Sequence, residues 1–161
     1  MKKWLITTSI FVSIVVLVAL FFLYQTIRTP LTNEEQEAVE VALAQTKLEH
    51  VSSVEFYHGT EAYQVIKGTG ADEEELIVWV RSDGKEVVEK RVKDGLSREQ
   101  VERFVFDELK PTQLIAIRLG VEQDLPVYEI TYLDDESRYA YYYMTFKDGT
   151  FVKRYSLRNE K

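Results

Sequence analysis

The chain has 161 residues, room for one ordinary domain or two very small ones and too few for a large multidomain enzyme. With 20 Lys plus Arg against 27 Asp plus Glu it carries a formal charge of −7, which argues against nucleic acid as a partner, because phosphate binding rests on cationic side chains. It contains no cysteine, which excludes disulfides, thiolate zinc sites, iron–sulfur clusters and cysteine nucleophiles together, and it has only two histidines, His50 and His58.

Residues 1–3 are a short basic tail. From Trp4 to Tyr24 the sequence WLITTSIFVSIVVLVALFFLY carries no charge over 21 residues, enough helix to cross the ~30 Å hydrocarbon core of a bilayer. Trp4 and Tyr24 fall at the ends, at headgroup depth. A cleaved signal peptide needs a shorter apolar core and a small-residue exit, whereas the exit here is FFLYQTIRTP and no lipobox cysteine exists. The segment 4–24 therefore reads as an uncleaved signal anchor lying in the lipid bilayer. Lys2 and Lys3 before it place the N-terminus in the cytoplasm, so the expected protein is single-pass in the cell membrane, with an extracellular C-terminal body after a linker at 25–31. From Leu31 to Lys161 that body holds 17 basic and 27 acidic residues, a net of −10, and is repelled by anionic headgroups and wall polymers. Its lack of cysteine suits a bacterial envelope without disulfide machinery.

The body repeats itself at an offset of 65 residues. Thr32-Asn33-Glu34-Glu35 and Ser97-Arg98-Glu99-Gln100 are capping boxes. Tyr63 in AYQVI matches Tyr128 in VYEIT, and Asp83-Gly84 matches Asp148-Gly149, both reading as hairpin turns. Each half is predicted to be a helix followed by strands. Ala38, Val41, Ala42 and Leu48 form the apolar face of the first helix; Val101, Phe104, Val105 and Leu109 form that of the second, with Leu96 stapling to Val101. Strands are predicted at Val51–Tyr57, Ala62–Lys67, Glu75–Arg81 and Glu86–Val92, then at Gln113–Val121, Val127–Leu133, Arg138–Phe146 and Thr150–Leu157. Lys110-Pro111 ends the second helix. The fold class is α+β: two tandem units at 32–95 and 96–157, each one helix on an antiparallel sheet, with a tail at 158–161. At about 60 residues either unit alone is marginal, and the near absence of a linker at Val92–Leu96 favours their packing together.

The N-terminal anchor, the tandem helix-plus-sheet units and the repeated strand signatures IVWVRSDGKEVVEKR and YYYMTFKDGTFVKRY resemble the TseB family of cell wall elongation regulators, also called YpmB-like, of Gram-positive bacilli. Its units resemble PepSY domains and look cystatin-like. The resemblance covers Met1 to Leu157 and implies a non-enzymatic membrane protein that associates with a penicillin-binding transpeptidase during lateral wall synthesis. The PepSY resemblance also implies an alternative, an inhibitor or chaperone module acting on an extracellular peptidase.

Catalytic chemistry is hard to find in the residues. His50 and His58 are eight apart and flank the first predicted strand, ~26 Å in extended backbone, and cannot share a metal there. Gly68-Thr69-Gly70 lacks the GK[ST] or GxGxxG continuation of a phosphate loop and reads as a loop between strands. Asp72-Glu73-Glu74-Glu75 and Asp134-Asp135-Glu136 occupy equivalent places and offer oxygen ligands, but lack the alternating spacing and glycine of a calcium loop, so they read as solvated turn acids. No G-x-S-x-G elbow occurs. With 27 acids, some carboxylate pair always falls at a catalytic distance, and abundance is no signal. No enzyme, no cofactor, no metal and no small-molecule substrate is expected.

One stretch is unusual, Tyr139-Ala140-Tyr141-Tyr142-Tyr143-Met144-Thr145-Phe146. In a strand Tyr139, Tyr141 and Tyr143 face one way and Ala140, Tyr142, Met144 and Phe146 the other, so both faces are apolar and something must cover each. One reading is the sister unit, whose strand Leu76-Ile77-Val78-Trp79-Val80 is also apolar throughout. The other is a partner surface built on Tyr139, Tyr141, Tyr143 and Trp79, residue types enriched at protein interfaces.

Overall fold

The computed structural model describes residues 15–17 and 33–157. The chain divides into two units, residues 1–37 and 38–161. In the first, residues 15–17 and 33–37 are helical. Apart from 15–17, the anchor expected at 4–24 lies outside the described residues, as do the linker to residue 32, Thr32 of the first capping box and the tail at 158–161. Among the described residues no helix is long and apolar enough to cross a membrane.

Helix α1 covers 33–45. Ala38 and Ala42, one turn apart on one face, are buried with Leu48, Ile66, Leu76, Val78 and Val80. Leu48, expected on the helix, instead opens the first strand while joining the same apolar cluster. Thr46 causes the break: its hydroxyl donates back to the Ala42 carbonyl (2.7 Å) and accepts from the Leu48 amide (3.2 Å), turning the chain.

All eight predicted strands form: β1 Leu48–His58, β2 Ala62–Gly70, β3 Glu75–Arg81, β4 Val87–Arg91, β5 Gln113–Glu122, β6 Leu125–Leu133, β7 Tyr139–Thr145 and β8 Phe151–Leu157. They make two antiparallel four-stranded sheets of identical order, β1-β2-β3-β4 and β5-β6-β7-β8. Gly84 and Gly149 take the left-handed conformation that their hairpin turns need, with φ of 70° and 75°. Gly68-Thr69-Gly70 is not a loop: β2 continues through it, paired to Val51, His50 and Leu48. A Cβ on Gly68 would collide with the His50 carbonyl, so the glycine is there for close approach of backbone where β1 bulges.

Between β4 and β5 lies α2, Arg98–Phe104. The capping box forms as expected: the Gln100 amide donates to Ser97 Oγ (3.3 Å) and the Ser97 amide donates to Gln100 Oε1 (2.8 Å). A wider helical turn follows at Val105–Leu109, closed by Lys110 in a left-handed conformation (φ 47°) before Pro111. Ser97→Ala removes one half of this reciprocal cap, and a loss of about 1 kcal/mol is expected, read as a lower urea midpoint at unchanged m-value.

In sheet β1–β4 the central strands β2 and β3 are buried on both faces. One carries Ile66, Leu76, Val78 and Val80 with α1; the other carries Tyr63, Val65, Ile77 and Trp79 into a core shared with Val101 and Val105 of α2 and with Ile117, Leu119, Tyr128, Ile130 and Met144 of the second sheet. That explains the unbroken apolar run of β3, since a strand covered on both sides has no solvent face.

Candidate functional site: the open face of the second sheet

Alternation along β6 and β7 splits the second sheet. Tyr128, Ile130, Tyr132, Ala140, Tyr142 and Met144 join the core on one side. Val127, Glu129, Thr131, Tyr139, Tyr141 and Tyr143 fall on the other. Register sets Tyr143 opposite Lys153, Tyr141 opposite Tyr155 and Tyr139 opposite Leu157, so β8 contributes three residues to that outer face.

The four residues singled out by sequence separate under burial. Trp79 is wholly buried against Phe146, ring edge to ring face with centroids 5.8 Å apart, and belongs to the core. Tyr143 is only 2% exposed. Neither presents a surface to a partner: Trp79 lies in the shared core, and Tyr143 is covered on the outer face by Glu129, Lys153 and Tyr155. Tyr139 remains 44% exposed and Tyr141 partly so. Tyr155 and Leu157, 44% and 52% exposed, complete the patch and were not expected from sequence. The signal was available: a turn centred on Asp148-Gly149 folds Tyr155 back onto Tyr141.

This face is rigid at one end and open at the other. The Tyr143 hydroxyl donates to Glu129 Oε2 (2.7 Å) and lies 3.1 Å from the Tyr155 hydroxyl, which donates in turn. Lys153 Nζ sits 4.4 Å from the Tyr143 ring centre. Rings of Tyr141 and Tyr155 stack with centroids 5.0 Å apart and planes 17° from parallel. Burial, then hydrogen bonding to Tyr155 and Glu129, pushes the Tyr143 hydroxyl far above the usual tyrosine range, so it stays a neutral donor.

The closed end is built by the turn between β1 and β2. Glu122, 2% exposed, accepts from Tyr57 Oη (3.1 Å), Thr60 Oγ1 (2.9 Å), the Thr60 amide (3.3 Å) and Lys153 Nζ (2.6 Å). Burial pushes its carboxyl up, but the bonds from Lys153, Thr60 and Tyr57 outweigh that and hold it below the ordinary carboxylate range. The first sheet thus covers only the Glu122 end of the outer face and leaves the Tyr139–Leu157 end bare.

His50 and His58 are both exposed on β1. Asp134 is not a solvated turn acid: it is 5% exposed, accepts from the amides of Glu136 and Arg138, and pairs with the Arg138 guanidinium at 2.8 Å, closing the β6–β7 hairpin. Glu74 pairs with Lys93 at 2.5 Å. Among the described residues no three His, Asp or Glu side chains converge as metal ligands. A cleft of about 460 Å³ beside the start of α2 is lined by Ser53, Lys67, Thr69, Ser97, Glu99 and Tyr128; there the Ser97 hydroxyl donates to Glu99 Oε2 (2.7 Å) while its oxygen caps α2.

A family model described as the cell wall elongation regulator TseB-like domain matches residues 37–81. The probable cell wall elongation regulator TseB of Bacillus subtilis (strain 168) is 32% identical over 155 residues, covering 94% of this chain and 96% of that protein. The solved structure of the YpmB protein from Bacillus subtilis matches with a TM-score of 0.72 and 32% identity, over 76% of this chain and 96% of that one.

Proposed function

Because the chain belongs to the TseB family of cell wall elongation regulators, we propose that it is a non-enzymatic protein, anchored in the cell membrane through residues 4–24 with its body outside, that binds a penicillin-binding transpeptidase in the same membrane. The halves 32–95 and 96–157 are read as PepSY-like, cystatin-like units. The observation that carries the docking reading is the bare end of the outer face, where Tyr139, Tyr141, Tyr155 and Leu157 present aromatic and aliphatic area from a hydrogen-bonded sheet. Tyrosine supplies large contact area at small entropy cost, with a hydroxyl for the rim. Confinement to one membrane raises effective concentration, so a modest interface suffices.

The test is capture from membranes whose transpeptidases carry a fluorescent penicillin. Full-length protein should co-purify a labelled transpeptidase, and the Tyr141→Ala/Tyr155→Ala variant should recover at least tenfold less, consistent with loss of ~1.4 kcal/mol or more of binding. Removing the stack costs folding the roughly 0.5–1.5 kcal/mol of the ring pair together with the Tyr155–Tyr143 hydroxyl contact, so a urea melt of the variant accompanies the capture. Undiminished capture by the variant would remove this face from the interaction, and no labelled transpeptidase with the wild type would remove the partner.

A further inference from the structure

The four outer edges of the two sheets are not equally protected against adding a strand. Edge strand β1 is interrupted by two register shifts, and β5 is buried over most of its second half, Ile117–Glu122, where it lies beside β1 and β2. Strand β4 is only five residues long. By contrast β8 runs seven residues, and its one irregularity lies at its start, opposite Tyr143/Met144. It contains no proline and no acid, and it exposes Phe151, Tyr155 and Leu157. Among the described residues it pairs with β7 alone. Such a strand is a template for one more.

Its charge decides what can add. Lys153 and Arg154 make β8 a basic strip on a chain of net charge −7. Lys153 is satisfied by Glu122, whereas Arg154 contacts the Tyr132 ring at 5.8 Å and has no ion pair among the described residues. Arg154 is the central residue of Phe151–Leu157. A second copy adding antiparallel about a two-fold axis through the strand centre would therefore set Arg154 against Arg154, a repulsive cross-strand pair. An acidic strand in the same place gains where the second copy loses.

We infer that the free edge of β8 is a strand-addition site for an extended, acidic segment of a partner protein, with a carboxylate opposite Arg154 and apolar side chains lying beside Tyr155 on the outer face. This rests on the docking reading above and names its contact. Main-chain hydrogen bonds along the edge supply affinity, and Arg154 supplies the sign of charge that is accepted.

The test uses the full-length chain in detergent and two synthetic peptides, acetyl-Val-Glu-Val-Glu-Val-Glu-Val-amide and its Lys-for-Glu counterpart, with amide hydrogen exchange as the readout. The glutamate peptide should slow exchange across β8 at least tenfold and the lysine peptide should not. Arg154→Glu should invert that preference, and Arg154→Lys should keep it, which separates charge selection from any damage to the fold. Protection that is absent, that falls on β1 or β4 instead, or that is the same for both peptides would overturn the site. Capture of the labelled transpeptidase reports separately on the partner. If the peptide protects β8 and no transpeptidase is captured, the edge stands and the partner reading falls; if a transpeptidase is captured and β8 stays unprotected by peptide, the reverse holds.

Discussion

Glu122→Ala is expected to destabilise the body of the protein by about 3 kcal/mol, because one carboxylate satisfies four donors from three separate segments. Its removal strands Tyr57 Oη in a buried site and leaves the Thr60 amide and hydroxyl to find water. Lys153, whose side chain is 37% exposed, can swing out to solvent, which keeps the loss at the lower end of the range for a broken buried pair. Glu122→Gln should lose less, since an amide oxygen still accepts while the charge-assisted bond to Lys153 weakens. Acid should reveal the same carboxylate. The fold holds its pKa below the unfolded value of ~4.3, so its contribution is complete above that pH and disappears as the pH falls through the folded value. Urea denaturation at pH 7, 5 and 3 should therefore show the gap between wild type and Glu122→Gln narrowing at pH 3, and a gap of unchanged size there would mean the carboxylate is not the group being read.

The eight strands were legible because turn chemistry and alternation agree over most of their length; Asp83-Gly84 and Asp148-Gly149 sit at turns with positive φ, as their sequences demand. The two-sided burial of β3 was legible only in part. An unbroken apolar run says that both faces are covered, but not that α1 takes Val78 while the common core takes Trp79. Periodicity in the helices failed at Leu48, where a local threonine bond overrides the continuing apolar pattern. At the outer face, residue type pointed to the strand but not to how deeply each tyrosine along it is buried. Tyr143 and Tyr139 are the same residue on the same face of one strand, and they differ because Glu129, Lys153 and Tyr155 enclose the first while the second lies at the strand end. Tyr155 was missed because tyrosines were counted along one strand rather than across a hairpin. Glu122 was invisible: nothing local marks one acid in 27 as the acceptor for a turn 62 residues earlier.

Gly120→Ala is expected to cost about 2–3 kcal/mol although it adds a single methyl group. Gly120 pairs with Val127 inside β5–β6, and a Cβ there would overlap three atoms of the Tyr57 ring. That ring is 3% exposed and belongs to the shared apolar core. To yield, it must leave the core or drag its hydroxyl away from Glu122, so overpacking and a lost buried hydrogen bond arrive together. Tyr57→Ala alone should be the worse change, by about 3–5 kcal/mol, since it empties an aromatic site. The double variant is the informative one: with the ring gone the added methyl has space, and the pair should cost at least about 1 kcal/mol less than the two changes summed. Gly84→Ala supplies the contrast. Its Cβ would meet nothing within 4 Å, so only the positive φ of 70° resists it, at roughly 1–2 kcal/mol, and that cost should be unchanged in a Tyr57→Ala background. Strict additivity for Gly120 and Tyr57 in urea melts would show that the turn of the first sheet does not press on β5 as described. The wedge explanation for Gly120, and with it the account of how the Glu122 end of the outer face is closed, would then fail.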